Sequence, residues 1–213
     1  IIPAPYWVSY PDIVLLAGGK PVIVECSEEE NFKISPKKLE NAITEKTKWL
    51  ILNSPSNPTG SCYTESEINS LANILNKQKH VHILSDDIYE HIIYENFKFF
   101  TIAQIKELKD RTLTMNGVSK SYAMTGWRVG YACSSSELIE AMMKIHQYTM
   151  LCAPIQGQMA ALEALQSGDK AVEEMRQQYN QRRHLMVNGL NDLGLSYKSA
   201  FQYQLLAEGI VDK

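Results

Sequence analysis

No run of about 18 apolar residues, the length a membrane-spanning helix needs, occurs in the 213-residue sequence, so no segment reads as a bilayer span. Basic residues are in no excess either. The 21 lysines and arginines stand against 24 aspartates and glutamates, a formal net charge of −3, with no basic block of the kind that phosphate backbones select. Nucleic acid is therefore not the expected partner. Cysteine is scarce: Cys26, Cys62, Cys133 and Cys152 form no CxxC pair and signal neither a zinc site nor a disulfide framework. They read as small apolar residues of a reducing compartment, the cytoplasm. No GxGxxG follows a strand pattern, and the SKS at residues 119–121 lacks the glycine of a P-loop. His80 and His82 alternate along one run without a third ligand nearby, so they read as core or surface histidines rather than a metal site.

What is present describes an ordinary globular protein of one to two domains, 45% hydrophobic and 21% charged. The opening IIPAPYW, without an initiator methionine or a signal peptide, reads like the middle of a protein. Short apolar runs alternate with helical patterns. KPVIVEC (20–26), WLILN (49–53), VHILSDD (81–87), TLTMNG (112–117) and RVGYAC (128–133) read as strands. Pro36 after Ser35 opens one helix, and Thr64 with Glu67 forms a capping box that opens another, running to about Leu75. From about residue 135 the pattern becomes helical throughout, ending in a long polar helix from Asp169 to Leu193. The expectation is an α/β three-layer sandwich with a mostly parallel mixed sheet. Its large domain spans residues 1–168, residues 169–194 form a connecting helix, and residues 195–213 are a fragment of a small C-terminal domain.

Ligands of such sheets sit at the carboxyl ends of the strands, where loop amides and helix N-termini converge. Three polar clusters fall there. NSPSNPTG (53–60) is a stiff turn that would fix the Asn57 carboxamide. SDDIYEH (85–91) places Asp86 just past a strand and Tyr89 three residues later. NGVSKSYAMTGWRVGYAC (116–133) sets Lys120 among Gly117, Ser119, Ala123 and Gly126, so that its ammonium is expected to be enclosed, with Arg128 further along a strip otherwise free of charge. Singly, each has a plain alternative: Asn57 as a turn former, Asp86 as a helix N-cap, Tyr89 as a packed aromatic, Lys120 as a surface side chain, Arg128 as half of an ion pair.

In order and spacing, PAPYWVSYPD (3–12), NPTG (57–60), SDDIY (85–89) and GVSKSYAMTGWRVGY (117–131) resemble the class I and II pyridoxal-phosphate-dependent aminotransferases of fold type I, in their aspartate aminotransferase branch. The resemblance implies pyridoxal 5′-phosphate as cofactor and a transaminase that moves an amino group between an amino acid, aspartate or glutamate, and a 2-oxo acid by a ping-pong mechanism. It implies that Lys120 forms the covalent link to the cofactor and shuttles the substrate proton, and that Asp86 keeps the ring nitrogen protonated. Tyr89 and Asn57 match the pair that hydrogen-bonds the cofactor's phenolic oxygen, and Asn57 would also touch the substrate carboxylate. Trp7 matches the aromatic that stacks on the ring and lines the substrate site, and Arg128 the bidentate phosphate donor. Gly117 and Ser119 would let the backbone approach the phosphate. Family members often carry a serine where this chain has Gly117, so phosphate binding would lean on Arg128 and on an upstream loop outside this sequence. The substrate-carboxylate arginine of the family also falls outside it. A homodimer acting on small amino and 2-oxo acids is the implied assembly. Alternatives on the same scaffold are a carbon–sulfur lyase, an aromatic or prephenate aminotransferase, and the cofactor-sensing domain of a regulator.

Overall fold

The computed structural model describes residues 1–194. The expected C-terminal domain fragment, residues 195–213, lies outside the described residues. Three apolar runs become adjacent parallel strands: β3 (Trp49–Asn53), β4 (His82–Asp86) and β5 (Thr112–Gly117). A fourth, β6 (Gly130–Cys133), pairs antiparallel with β5. At the other edge β1 (Ile2–Ala4) pairs parallel with β2 (Ile23–Glu25), and the Ile51 amide donates to the Ile1 carbonyl at 3.0 Å, which joins this pair to β3. The resulting layer runs β2-β1-β3-β4-β5-β6 and is mixed, as the sequence pattern predicts.

Residue alternation explains why both faces of this layer are covered. Leu50, Leu52 and Ile83 point into one core with Leu39 of helix α2 (Pro36–Ala42) and Ile68, Leu71, Ala72 and Leu75 of α3 (Glu65–Leu75). Ile51 and Leu84, one residue out of phase, meet Tyr10 and Val14 of α1 (Ser9–Leu16) on the opposite face. Two helices, one sheet and a helix behind it make the three layers. The helix starts are chemically marked. Ser35 Oγ accepts the Lys38 N–H, with Pro36 in the first turn, and Thr64 and Glu67 form a reciprocal capping box. Three helices follow β6 among the described residues: α4 (Ser136–Thr149), α5 (Ile155–Ser167) and α6 (Asp169–Asp192).

Two expectations are corrected, for β2 and for the cysteines. KPVIVEC is a strand but not a buried one: β2 keeps three residues, and Val22 and Ile23 are 42% and 40% exposed. Helix α1 does not show as a sequence pattern, because SYPDIVLL carries apolar residues without a polar face to set a helical period and has a proline in its first turn. Cys133 and Cys152 are exposed, while Cys26 and Cys62 are buried as expected of small apolar side chains. Burial pushes the Cys62 thiol up to about 12, which keeps it protonated and inert. The two histidines have structural partners: the His82 ring lies 5.1 Å from Trp49, and His80 Nε2 sits 3.0 Å from the Thr44 carbonyl. Among the described residues no helix is long and apolar enough to cross a membrane.

Candidate active site

Strand register builds the site. Asn53 pairs with Asp86 across β3 and β4, and Asp86 pairs with Met115 across β4 and β5, so the three polar loops leave one edge of three neighbouring strands. Asp86 is the last residue of β4 rather than the first beyond it, and no helix follows for it to cap. The residue is buried, 8% exposed. Burial pushes its pKa up, against the pull of a 2.6 Å hydrogen bond from the Tyr10 hydroxyl to Oδ2 and of the Ile88 N–H at Oδ1. Tyr10 is in turn held protonated by burial and by the charge of Asp86.

Tyr10 escapes a reading along the chain, because its partner is 76 residues away. The signal for it was its place three residues after Trp7, one helical turn on. Trp7 stands edge-on to Tyr10, ring centroids 5.4 Å apart, and is 40% exposed, so it is not a core tryptophan. On the other side Asn53, also missed, acts as a bracket. Its Nδ2 donates to the Asp86 carbonyl at 2.9 Å and its Oδ1 accepts the Asn57 N–H at 2.7 Å. The turn is closed further by Ser56 N–H to the Ser61 carbonyl, 3.0 Å, and Gly60 N–H to the Ser56 carbonyl, 2.7 Å. Asn57, Asn53, Asp86, Tyr10 and Trp7 thus form one connected set, the stiff turn included.

Lys120 and Tyr89 form a second pair. Lys120 is half-buried, with its ammonium 5.6 Å from the centroid of the buried Tyr89 ring. Tyr89 also lies within electrostatic reach of Tyr10, which brings the pair beside the first set. The loop carrying Lys120 is less enclosed than its small residues suggest, since Ala123 and Gly126 are exposed. Ala123 and Arg128 hold φ of 51° and 56°, left-handed values that cost non-glycine residues about 1 kcal/mol or more and that gather at functional loops. Close packing holds the loop: a Cβ on Gly157 of α5 would meet the Trp127 carbonyl and Val129 Cγ2, both at 3.0 Å. Gly117 also serves the packing of the sheet. A Cβ there would meet the Val129 carbonyl at 3.0 Å and Gly130 Cα at 3.1 Å, so this glycine admits the neighbouring strand. Arg128 is not joined to the rest: its guanidinium is exposed and donates from Nη1 to the Thr125 carbonyl at 3.0 Å.

The family model described as aminotransferase class I and II matches residues 1–204. The chain belongs to that family. Among its relatives, this class I and II aminotransferase chain is 52% identical to the aspartate/prephenate aminotransferase of Cereibacter sphaeroides, over 90% of the chain and 48% of that protein. It is 47% identical to the aspartate aminotransferase of Rhizobium meliloti, over 90% of the chain and 47% of that protein. The crystal structure of an aspartate aminotransferase from Rhizobium meliloti superposes with a TM-score of 0.88 at 47% identity, over 90% of the chain and 48% of that one. An aromatic aminotransferase from Pyrococcus horikoshii superposes at 0.87 and 42% identity, over 91% of the chain and 52% of that one. The fold is thus that of the fold type I transferases, and the chain spans about half the length of the curated relatives it matches.

The donor set fits pyridoxal phosphate. Burial pushes the pKa of the Asp86 carboxylate up, and a protonated ring nitrogen would supply a charge that favours its ionised form. A half-buried primary amine, a buried phenol and the Asn57 turn, whose backbone N–H is held by Asn53, lie on the same sheet edge.

Proposed function

We propose that this chain carries the cofactor-holding part of a pyridoxal-phosphate-dependent aminotransferase that moves an amino group between aspartate or glutamate and a 2-oxo acid. The observation that carries this reading is the buried Asp86 carboxylate at the end of β4, with the Lys120 loop leaving the neighbouring strand β5. Bound pyridoxal phosphate would supply an electron sink for the negative charge left when a substrate loses its α-proton. Asp86, held by Tyr10 and the Ile88 N–H, keeps a proton on the ring nitrogen. Lys120 provides the amine that attaches the cofactor and then moves the proton at the substrate α-carbon. Tyr89 and Asn57 orient the phenolic oxygen, Asn57 also meets the substrate carboxylate, Trp7 covers the ring face, and Arg128 turns toward the phosphate.

Residues 1–168 belong to the cofactor-binding domain in this reading, and residues 169–194 form its connecting helix. The enzyme works as a homodimer in the cytoplasm on small amino and 2-oxo acids. Prephenate and aromatic acids are further candidate substrates, a reading supported by similarity to an aspartate/prephenate aminotransferase and an aromatic aminotransferase.

The test is spectroscopic. Pyridoxal phosphate added to the purified protein should give a visible absorbance band, and aspartate should bleach it. Borohydride reduction followed by peptide mapping should find the label on Lys120, and Lys120→Ala should lose the band. A reduced adduct that maps to another lysine would overturn the assignment.

A further inference from the structure

Helix α6 is polar along its length, and its one buried residue is an arginine: the Arg183 side chain is 2% exposed. A charge so buried needs partners of fixed geometry, and it finds them on the segment that follows Tyr89. Arg183 Nη2 donates to Glu95 Oε1 at 2.9 Å, and the guanidinium carbon lies 4.8 Å from the centroid of the Tyr94 ring. Asn180 and His184 of the same helix touch the guanidinium as well, Nε to Asn180 Oδ1 at 2.9 Å and Nη2 to His184 Nε2 at 3.1 Å. Two turns to the N-terminal side, Arg176 Nη1 donates to the Ile93 carbonyl at 3.0 Å, and Glu173 holds Arg176 in place with bonds of 2.7 Å to Nε and Nη2.

The segment so gripped is costly to form. Glu95 and Asn96 have φ of 56° and 58°, and the Phe97 N–H closes the turn on the Tyr94 carbonyl at 3.1 Å. Two consecutive left-handed positions are tolerated by asparagine but disfavoured for glutamate, so a bond that fixes the Glu95 carboxylate helps to hold the turn. Tyr94 then transmits the constraint inward. Tyr89, Ile92 and Tyr94 are packed as one buried cluster, with Tyr179 of α6 against it. From the other side Asn116 Nδ2 of β5 donates to Glu90 Oε1 at 2.5 Å.

We propose that Arg183 is a positioning residue for Tyr89: α6 grips the turn at residues 94–97 and, through the Tyr89–Ile92–Tyr94 cluster, sets where the Tyr89 phenol stands against Lys120. This rests on the reading of Tyr89 as the phenol that meets the cofactor's phenolic oxygen. A phenol donating there draws electron density from the oxygen, so the lysine-derived nitrogen beside it becomes less basic. A displaced Tyr89 leaves that nitrogen more basic. Around Tyr89 the charged or titratable groups include Lys120, Tyr10, Tyr94 and Tyr179, and around Arg183 they include Glu95, His184 and Tyr94.

The measurement is the pH midpoint of the visible band of the cofactor-loaded full-length enzyme, read in the parent, Tyr89→Phe, Arg183→Met, Arg183→Lys and Glu95→Gln. Tyr89→Phe should raise the midpoint. Arg183→Met keeps the apolar stem and should raise it by about 0.5 unit, with Arg183→Lys falling between it and the parent. In the cofactor-free protein, amide exchange of residues 88–97 should quicken in Arg183→Met and not in Tyr89→Phe. If Tyr89→Phe moves the midpoint and Arg183→Met leaves it at the parent value, the proposal is wrong while the reading of Tyr89 stands. If Tyr89→Phe moves nothing, that reading fails and the proposal with it. Should Arg183→Met not fold, Glu95→Gln decides by the same midpoint: a rise supports the proposal and no change overturns it.

Discussion

Asp87, beside the carboxylate proposed to face the cofactor, has a different environment and a different consequence. It is 3% exposed, Ser85 donates its hydroxyl to Oδ1 at 2.7 Å, and burial raises its pKa to about 6 despite the Thr101 and Ser85 hydroxyls, with Glu90 and Asp86 adding repulsion. A carboxylate whose folded pKa lies above its unfolded one binds its proton more tightly when folded. Its contribution is therefore full below the unfolded value near 4 and is lost as pH rises through about 6, an effect on the order of 2–3 kcal/mol. Asp87→Asn should then be more stable than the parent at pH 7.5, with the advantage gone well below pH 4, measured as urea midpoints. A difference independent of pH would show that Asp87 ionises without penalty. At this scale the sequence was legible wherever a residue type sits in a fixed local pattern: Asn57 in its stiff turn, Asp86 at a strand end, Lys120 and Tyr89 in polar clusters after apolar runs. It was opaque for Tyr10 and Asn53, whose roles are contacts with Asp86 across strands, and for Arg128, whose exposed position no local pattern shows.

Elements were readable where their signals are local. The capping box at α3 is the clearest case. Thr64 Oγ1 accepts the Glu67 N–H at 3.3 Å, Glu67 Oε2 accepts the Thr64 N–H at 2.7 Å, and the helix then buries Ile68, Leu71, Ala72 and Leu75 in the main core. Lys33 pairs with the same glutamate at 2.5 Å, so the cap also ties the segment before α2 to the start of α3. Thr64→Ala should cost about 1 kcal/mol and Thr64→Ser much less, read from urea midpoints, because serine restores the acceptor. Equal losses in both variants would mean that the methyl packing of the threonine matters and its oxygen does not. β2 and α1 were harder for a shared reason: a short exposed strand and a helix without a polar face carry no period, and only their partners fix them, β1 for the strand and Ile2 and Ile51 for the helix.

The layered architecture follows from alternation along β3 and β4, but the outer face of the C-terminal helices has no counterpart in that logic. α4 has no buried residue, and Met143, Ile145 and Tyr148 are 49%, 68% and 86% exposed. On α5, Ile155 and Met159 are 61% and 58% exposed, with Leu162 and Leu165 at 46% each. Sequence periodicity shows such helices as amphipathic without telling what their apolar stripes meet. Contiguous apolar surface of this kind on a purified chain drives association when it exceeds a few hundred Å², roughly. The 213-residue chain should therefore bind a hydrophobic dye in its folded state and sediment as concentration-dependent oligomers. Replacing Ile145, Tyr148 and Met159 together by Gln should weaken the association and the dye signal. The urea midpoint extrapolated to low protein concentration should stay near that of the parent, because none of the three lies in a core cluster. If the triple variant instead unfolds at markedly lower urea, these side chains stabilise the folded monomer, and the exposed stripes of α4 and α5 are part of its packing rather than a surface for assembly.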